Sequence, residues 1–214
     1  MKRFLIAAGT IATATPALAH HPLGGLPMTT FLEGALSGVG HPVLGFDHLF
    51  FVALMGVAAS LAGRAYSAPL AYVGAMLAGC ALMAAGVALP LAEVVIVASL
   101  LVLGGLVASG RALSAPVALL LFAGFGAFHG SAFGGSVAGQ EGGVGGAVLA
   151  GYLLGLAAVQ YAIAVLAGLA MRRVLAARTA SAVNARLAGA MVAGVGVFLS
   201  LELLEGPIVA ALAG

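Results

Sequence analysis

The sequence predicts an all-α fold, a polytopic membrane helix bundle of about six transmembrane helices behind a cleavable signal peptide, with both termini periplasmic. Three observations predict it. Hydrophobic residues make up 63% of the 214-residue chain and charged residues only 7%, against about 25% in soluble domains. Six long apolar stretches follow one another, and the basic residues after Arg3 all fall in or beside alternate connections between them. The alternating ten-residue segments of an outer-membrane barrel are absent.

Residues 1–19 read as a secretory signal peptide: Lys2-Arg3, an apolar core from Phe4 to about Ala14, then Ala17-Leu18-Ala19. Pro16 helps end the apolar helix before the cleavage site. An uncleaved anchor is the alternative, although the apolar core is short for a span. Cleavage after Ala19 makes His20 the new N-terminus, followed by His21. A terminal histidine chelates through its amine and its ring, and neutral imidazole suits nickel, copper and zinc. A solvated terminus is the plainer reading of both.

Residues 20–42 then form a periplasmic N-terminal segment and 43–214 the six-helix transmembrane domain. The apolar stretches are 43–63, 68–89, 92–109, 115–134, 146–171 and 187–209, each close to the ~20 residues that cross a ~30 Å hydrocarbon core. Pro90 separates the second and third as a tight helical hairpin. Gly126, Gly130 and Gly134, and Gly151 and Gly155, repeat at the spacing that lets membrane helices pack closely. Gly134 to Gly146 reads as an outer loop.

Arg64, Arg111, Arg172, Arg173, Arg178 and Arg186 all fall on one side of this layout, which the positive-inside rule makes cytoplasmic. The expected location is the bacterial inner membrane, with the lipid bilayer as partner and a homo-oligomer or membrane complex as further partner classes. A net charge of +2 is too small for a nucleic-acid reading, and the lone Cys80 allows neither a disulfide nor a cysteine-based zinc site.

Chemistry concentrates in His41-Pro42-Val43-Leu44-Gly45-Phe46-Asp47-His48, at the mouth of the first span. Ionisable groups inside a membrane are costly and usually mark an ion path or a site. With Pro42 at the first helical position, His41 and His48 stand ~10 Å apart on a regular helix, too far to hold one ion together. His41 is then an outermost ligand or a helix-terminal residue. Asp47 is a direct ligand or a hydrogen-bond acceptor for a histidine ring, and Gly45 permits local bending or close helix approach.

His48 lies ~9 Å below the outer end of its span and His129 at a similar depth on the fourth. Glu202 stands at nearly that level on the sixth span, with Glu205 one turn outward on the same face. Converging polar faces would make a metal site open to the periplasm. For each residue there is a bland alternative: interhelical hydrogen bonding for the histidines, contact with interfacial water for Glu202 and Glu205. Met55 is packing, and Glu33, Glu93 and Glu141 are solvated. Ser99, Gln160, Tyr161 and Cys80 are the few polar candidates of the inner half.

The eight-residue stretch matches His-Pro-x-x-Gly-x-Asp-His in full and resembles the first signature of the HupE/UreJ family, membrane proteins associated with hydrogenase and urease. The second signature of that family looks like Phe-His-Gly-x-Ala-His-Gly-x-Glu. Here Phe128, His129, Gly130, Ala132 and Gly134 match, while Phe133 replaces the second histidine and Ser136 the glutamate. The resemblance implies a permease for nickel, with cobalt second, as transported Ni2+ or Co2+ rather than a permanent cofactor, accessory to metalloenzyme maturation. The candidate metal ligands are His41, Asp47, His48 and His129 from the two signatures, Glu202 and Glu205 from their depth, and His20 from the expected cleavage site. A non-transporting structural or assembly subunit of a membrane complex is the alternative. An enzyme is not expected, because nothing in the sequence identifies a substrate or an activated group, and no nucleotide-binding motif occurs.

Overall fold

The computed structural model describes residues 28–138 and 144–213. Residues 1–19, expected to be a signal peptide, and His20, His21 and Glu141 lie outside the described residues. Those described form seven helices and no strand: α1 Phe31–Leu44, α2 Phe46–Leu61, α3 Ala68–Ala84, α4 Ala92–Ala108, α5 Ala115–Ala138, α6 Gly146–Arg173 and α7 Val183–Ala213. Leucine, valine and phenylalanine side chains cover much of the outside, as a bilayer requires.

Three helices are each long and apolar enough to cross a membrane: α5, α6 and residues 183–206 of α7. The pair α1 and α2 makes a fourth span if the bent pair is taken as one. α3 and α4 are shorter apolar helices of 17 residues, roughly 25 Å long at 1.5 Å per residue, a little under the hydrocarbon thickness. The protein is a membrane helix bundle, and the expected six spans are met in part.

The first span departs most from expectation. A helix already starts at Phe31, within the segment assigned to the periplasm. Thr30 caps it: its hydroxyl accepts from Glu33 N–H at 3.2 Å, and the Glu33 carboxylate accepts from Thr30 N–H at 2.9 Å. This reciprocal pair satisfies N–H groups that a helix start otherwise leaves open.

Pro42 therefore lies inside α1 near its end rather than opening the span. It has no N–H to give to the preceding turn, and three residues later the helix breaks. Gly45 turns extended (φ −82°, ψ 101°), donates to His41 O at 3.0 Å to close α1, and accepts from Leu49 N–H at 2.9 Å to open α2. The two helices meet at 81°. A Cβ at Gly45 would stand 2.8 Å from His48 Cδ2 and 3.2 Å from Asp47 Oδ1, so any side chain there would push the His48 ring out of place. The ~10 Å separation expected of His41 and His48 on a regular helix is overturned: the break brings their ring centroids to 6.2 Å.

Other boundaries shift less. α3 ends at Ala84, where Gly86 takes positive φ (85°), and residues 87–91 connect it to α4. α5 continues to Ala138, so the outer loop expected from Gly134 begins later.

Glycine faces join the helices in pairs. Cβ atoms at Gly34 and Gly38 would strike the α6 backbone at Val148 and Tyr152, and those at Gly151 and Gly155 the α1 backbone at Phe31 and Ala35. Gly126, Gly130 and Gly134 meet α3 at Tyr72, Met76 and Cys80, and Gly56 meets Ala164. These registers run α1 and α2 parallel to α6, and α3 parallel to α5. Gly104 against Ala193 and Gly189 against Ala108 run α4 antiparallel to α7. Connections 62–67, 109–114 and 174–182 consequently share one end, and Arg64, Arg111, Arg172, Arg173, Arg178 and Arg186 cluster there.

Gly130→Leu is expected to destabilise the bundle by about 1–3 kcal/mol or more, because the side chain meets the Met76 carbonyl directly. Gly124→Leu, where nothing lies within 4 Å, leaves the melting temperature of detergent-solubilised protein nearly unchanged.

Candidate functional site

The break at Gly45 delivers His41 from the last turn of α1 and His48 from the first turn of α2 into the interior, where His129 arrives from α5. They are 8%, 6% and 0% exposed. Asp47 precedes His48 on the first turn of α2, and its carboxylate Oδ1 accepts from His48 N–H at 2.8 Å.

His48 Nδ1 and His129 Nδ1 stand 2.8 Å apart, a contact that needs one proton between them. Ser99 decides which ring supplies it. Its hydroxyl donates to Ile96 O at 2.6 Å, so its oxygen accepts from His129 Nε2–H at 3.2 Å. A neutral His129 then has its lone pair on Nδ1 and accepts the proton of His48 Nδ1. The lone pair of a neutral His48 is left on Nε2, which lies 3.8 Å from Asp47 Oδ2.

His41 follows the same logic. Tyr152 donates its hydroxyl to Phe133 O at 3.0 Å, and its oxygen stands 3.4 Å from His41 Nδ1. Ser136 Oγ is 3.3 Å from the same nitrogen. Protonated there, a neutral His41 carries its lone pair on Nε2. Phe133 packs edge-on to His41, with centroids 5.2 Å apart, and 4.3 Å from His48.

Both replaced positions of the second signature thus face His41. Phe133 presents carbon where an imidazole would present a ligand, and Ser136 offers a neutral hydroxyl where a carboxylate would offer charge. Below them Phe51 stacks on His129 at 4.6 Å, and Tyr72 meets its edge at 5.9 Å. The Tyr72 hydroxyl donates to Gln160 Oε1 at 2.6 Å, and the Gln160 amide donates to Leu156 O at 3.3 Å. The resulting file of buried polar groups runs from His41 through His48 and His129 to Tyr72 and Gln160.

Not every expected ligand joins it. Glu202 and Glu205 are exposed on α7, and His20 lies outside the described residues. Among the described residues, no group of three or more His, Cys, Asp and Glu side chains is placed to hold a metal ion. Similar depth was the basis for including the glutamates, but depth leaves the direction around the helix open. Glu202 lies nine residues from Ala193 and Glu205 nine from Gly196, both positions that pack on α4. Nine residues is about two and a half turns, which points the carboxylates away from the bundle.

Sequence reading missed the service residues. Ser99, assigned to the inner half, supports His129, and Tyr152 and Ser136 support His41. Ser136 carried a signal, since it occupies the glutamate position of the second signature. Removing the Ser99 hydroxyl releases the constraint on His129: in 15N NMR of histidine-labelled protein, Ser99→Ala is expected to convert the Nε2–H tautomer of His129 into a tautomer mixture. An unchanged spectrum would show that Ser99 does not set the tautomer.

A family model described as HupE / UreJ protein matches residues 8–199 of the chain. Protein HupE of Rhizobium leguminosarum bv. viciae is 34% identical over 136 residues, covering 63% of this chain and 69% of that protein. No solved structure matches.

Proposed function

The chain belongs to the HupE/UreJ family, and on that premise we propose that it is an inner-membrane permease for a divalent transition metal, nickel first and cobalt second, accessory to metalloenzyme maturation. The observation that carries this reading is the buried file of three imidazoles that the break at Gly45 assembles. Neutral imidazole is a good ligand for nickel and cobalt, and buried histidines in a membrane bundle mark ion paths. In this reading α3 and α4 also span, making six spans. The arginine-bearing end is cytoplasmic and both termini are periplasmic. The ion is cargo: it meets His41 first, then His48 with Asp47, then His129. Transport rather than catalysis is the task.

A sparse ligand set suits that task, since a conducting site must bind weakly enough to release. A metal and a proton compete for the same imidazole lone pairs. Uptake is therefore expected to fall as external pH drops and the histidines protonate.

Accumulation of radiolabelled nickel and cobalt at low external concentration tests the proposal, with His48→Ala and His129→Ala at matched expression. Uptake of one metal that both substitutions abolish supports the permease. Wild-type uptake equal to empty-vector cells, with the protein folded in the membrane, sinks it.

One observation favours a second reading, a non-transporting assembly subunit: Phe133 packs against both His41 and His48. Phe133→His separates the two. On the permease reading it adds a ligand, and nickel affinity of the purified protein is expected to rise about tenfold by calorimetry. On the assembly reading, metal affinity stays negligible and co-purification with a partner is metal-independent.

A further inference from the structure

The Tyr72 hydroxyl of α3 donates to Gln160 Oε1 of α6 at 2.6 Å, and both residues are fully buried. Among the described residues, the other hydrogen bonds between side chains of two helices all hold a ring of the file: His48 to His129, Ser99 to His129, and Ser136 and Tyr152 to His41. Polar residues inside a membrane are costly and usually functional. The histidine geometry leaves this pair without a task.

Its place is about one turn inward of the imidazoles. Gly126 seats α5 on Tyr72 and Gly130 on Met76, which sets Tyr72 nearer the arginine-bearing end than His129. The two rings lie 5.9 Å apart. Gly56 packs on Ala164, so Gln160 stands at the level of Val52, one turn inward of His48. From there residues 52–59 of α2 carry no polar side chain, and the next polar contact with α6 is Arg172 Nη1 donating to Ser60 O at 3.4 Å.

Ser60 supplies a second observation. A Cβ at Gly168 would stand 2.9 Å from Ser60 Cβ, so the serine lies in the seam between α2 and α6. It is 1% exposed, and its hydroxyl has no hydrogen-bond partner. Helical serines ordinarily bond a carbonyl of the preceding turn, as Ser200 does here. A buried hydroxyl left unpaired weighs against the closed packing, and water entering an opened seam removes that penalty.

We propose that the Tyr72–Gln160 hydrogen bond latches the ion path. Made, it ties α3 to α6 across the inner side of His48 and His129. Broken, it lets the file open toward the arginine-bearing end. The proposal rests on the permease reading and gives the buried pair its part in it: the ion leaves His129 only when the latch parts. One hydrogen bond between membrane helices shifts such an opening by about threefold on average and by roughly twentyfold at most. That strength keeps the bundle shut at rest without locking it.

Thiol labelling tests the latch. Met55 is fully buried and lies seven residues inward of His48 on the same face of α2, beyond the pair. Full-length protein carrying Met55→Cys, with Cys80→Ala to remove the native thiol, is placed in nanodiscs, and its modification by a small cationic methanethiosulfonate is timed. A buried thiol reacts through the open state, so the rate follows the open population. Tyr72→Phe, which keeps the ring, and Gln160→Met, which keeps the bulk, are each expected to raise the rate by about threefold to tenfold. Together they raise it no further than the larger single effect, because one bond is lost. With Val192→Cys in place of Met55→Cys, a buried site on α7, the same variants leave the rate unchanged. An unchanged rate at Met55, a multiplied rise in the double variant, or an equal rise at Val192 overturns the proposal. Labelling needs no metal, so a wild type that takes up no nickel sinks the permease reading while the labelling still decides the latch.

Discussion

The interruption of one helix at Gly45 is the constraint on which the rest depends. Pro42 removes a hydrogen bond near the end of α1, and at Gly45 a Cβ would crowd the His48 ring and the Asp47 carboxylate. An unbroken helix would hold the two motif histidines a turn and more apart; the break turns them toward each other at the level where α5 presents His129. Broken backbone at membrane depth is tolerated only where it is buried in protein or lines a cavity. Here the freed groups are recovered locally, by Gly45 N–H on His41 O and by Asp47 on His48 N–H. The carboxylate at the start of α2 also sits where a helix dipole favours negative charge.

Close backbone contact then fixes the histidines in place. Apolar surface gives helices no reason to associate in lipid, so packing and hydrogen bonding must hold them together. Glycine supplies the packing on three faces: α1 and α2 along α6, α5 along α3, α4 along α7. His129 lies between Gly126 and Gly130, the residues that seat α5 on α3, and its orientation follows from that seam. Ser99 on α4 adds the hydrogen bond that selects the tautomer. A ring placed by two neighbouring helices and bonded to a third has little freedom to reorient.

Much of this was legible in the sequence, and the misses have identifiable causes. Apolar stretches located the helices, because lipid leaves the backbone few choices, and the arginine asymmetry anticipated the end at which Arg64, Arg111 and Arg178 gather. The capping pair Thr30 and Glu33 was readable too, as a threonine followed three residues later by glutamate, but an apolar-length criterion passed over it. Gly45 was noted as a place for bending without the consequence that His41 joins His48. Glu202 and Glu205 stand apart from the file, because residue counting along a span gives depth and not azimuth, and the α4-facing positions of α7 had to be known first. Ser99 and Tyr152 were invisible as site residues: their roles arise from contacts 30 and 111 residues away in sequence, which no local pattern encodes.

The polar file also stops at a definite place. Gln160 sits at the level of Val52, and from there to Ser60 the facing surfaces of α2 and α6 are Met55, Gly56, Ala164 and Gly168, closed backbone against backbone. Eight residues of helix is about 12 Å of path without a ligand. On the permease reading, an ion can cross that stretch only if α2 separates from α6. The Gly56 contact makes the seam tight by backbone packing alone, with no hydrogen bond between side chains. Gly45 stands at the end of α2 nearest the imidazoles, so that helix would carry His48 and Asp47 with it.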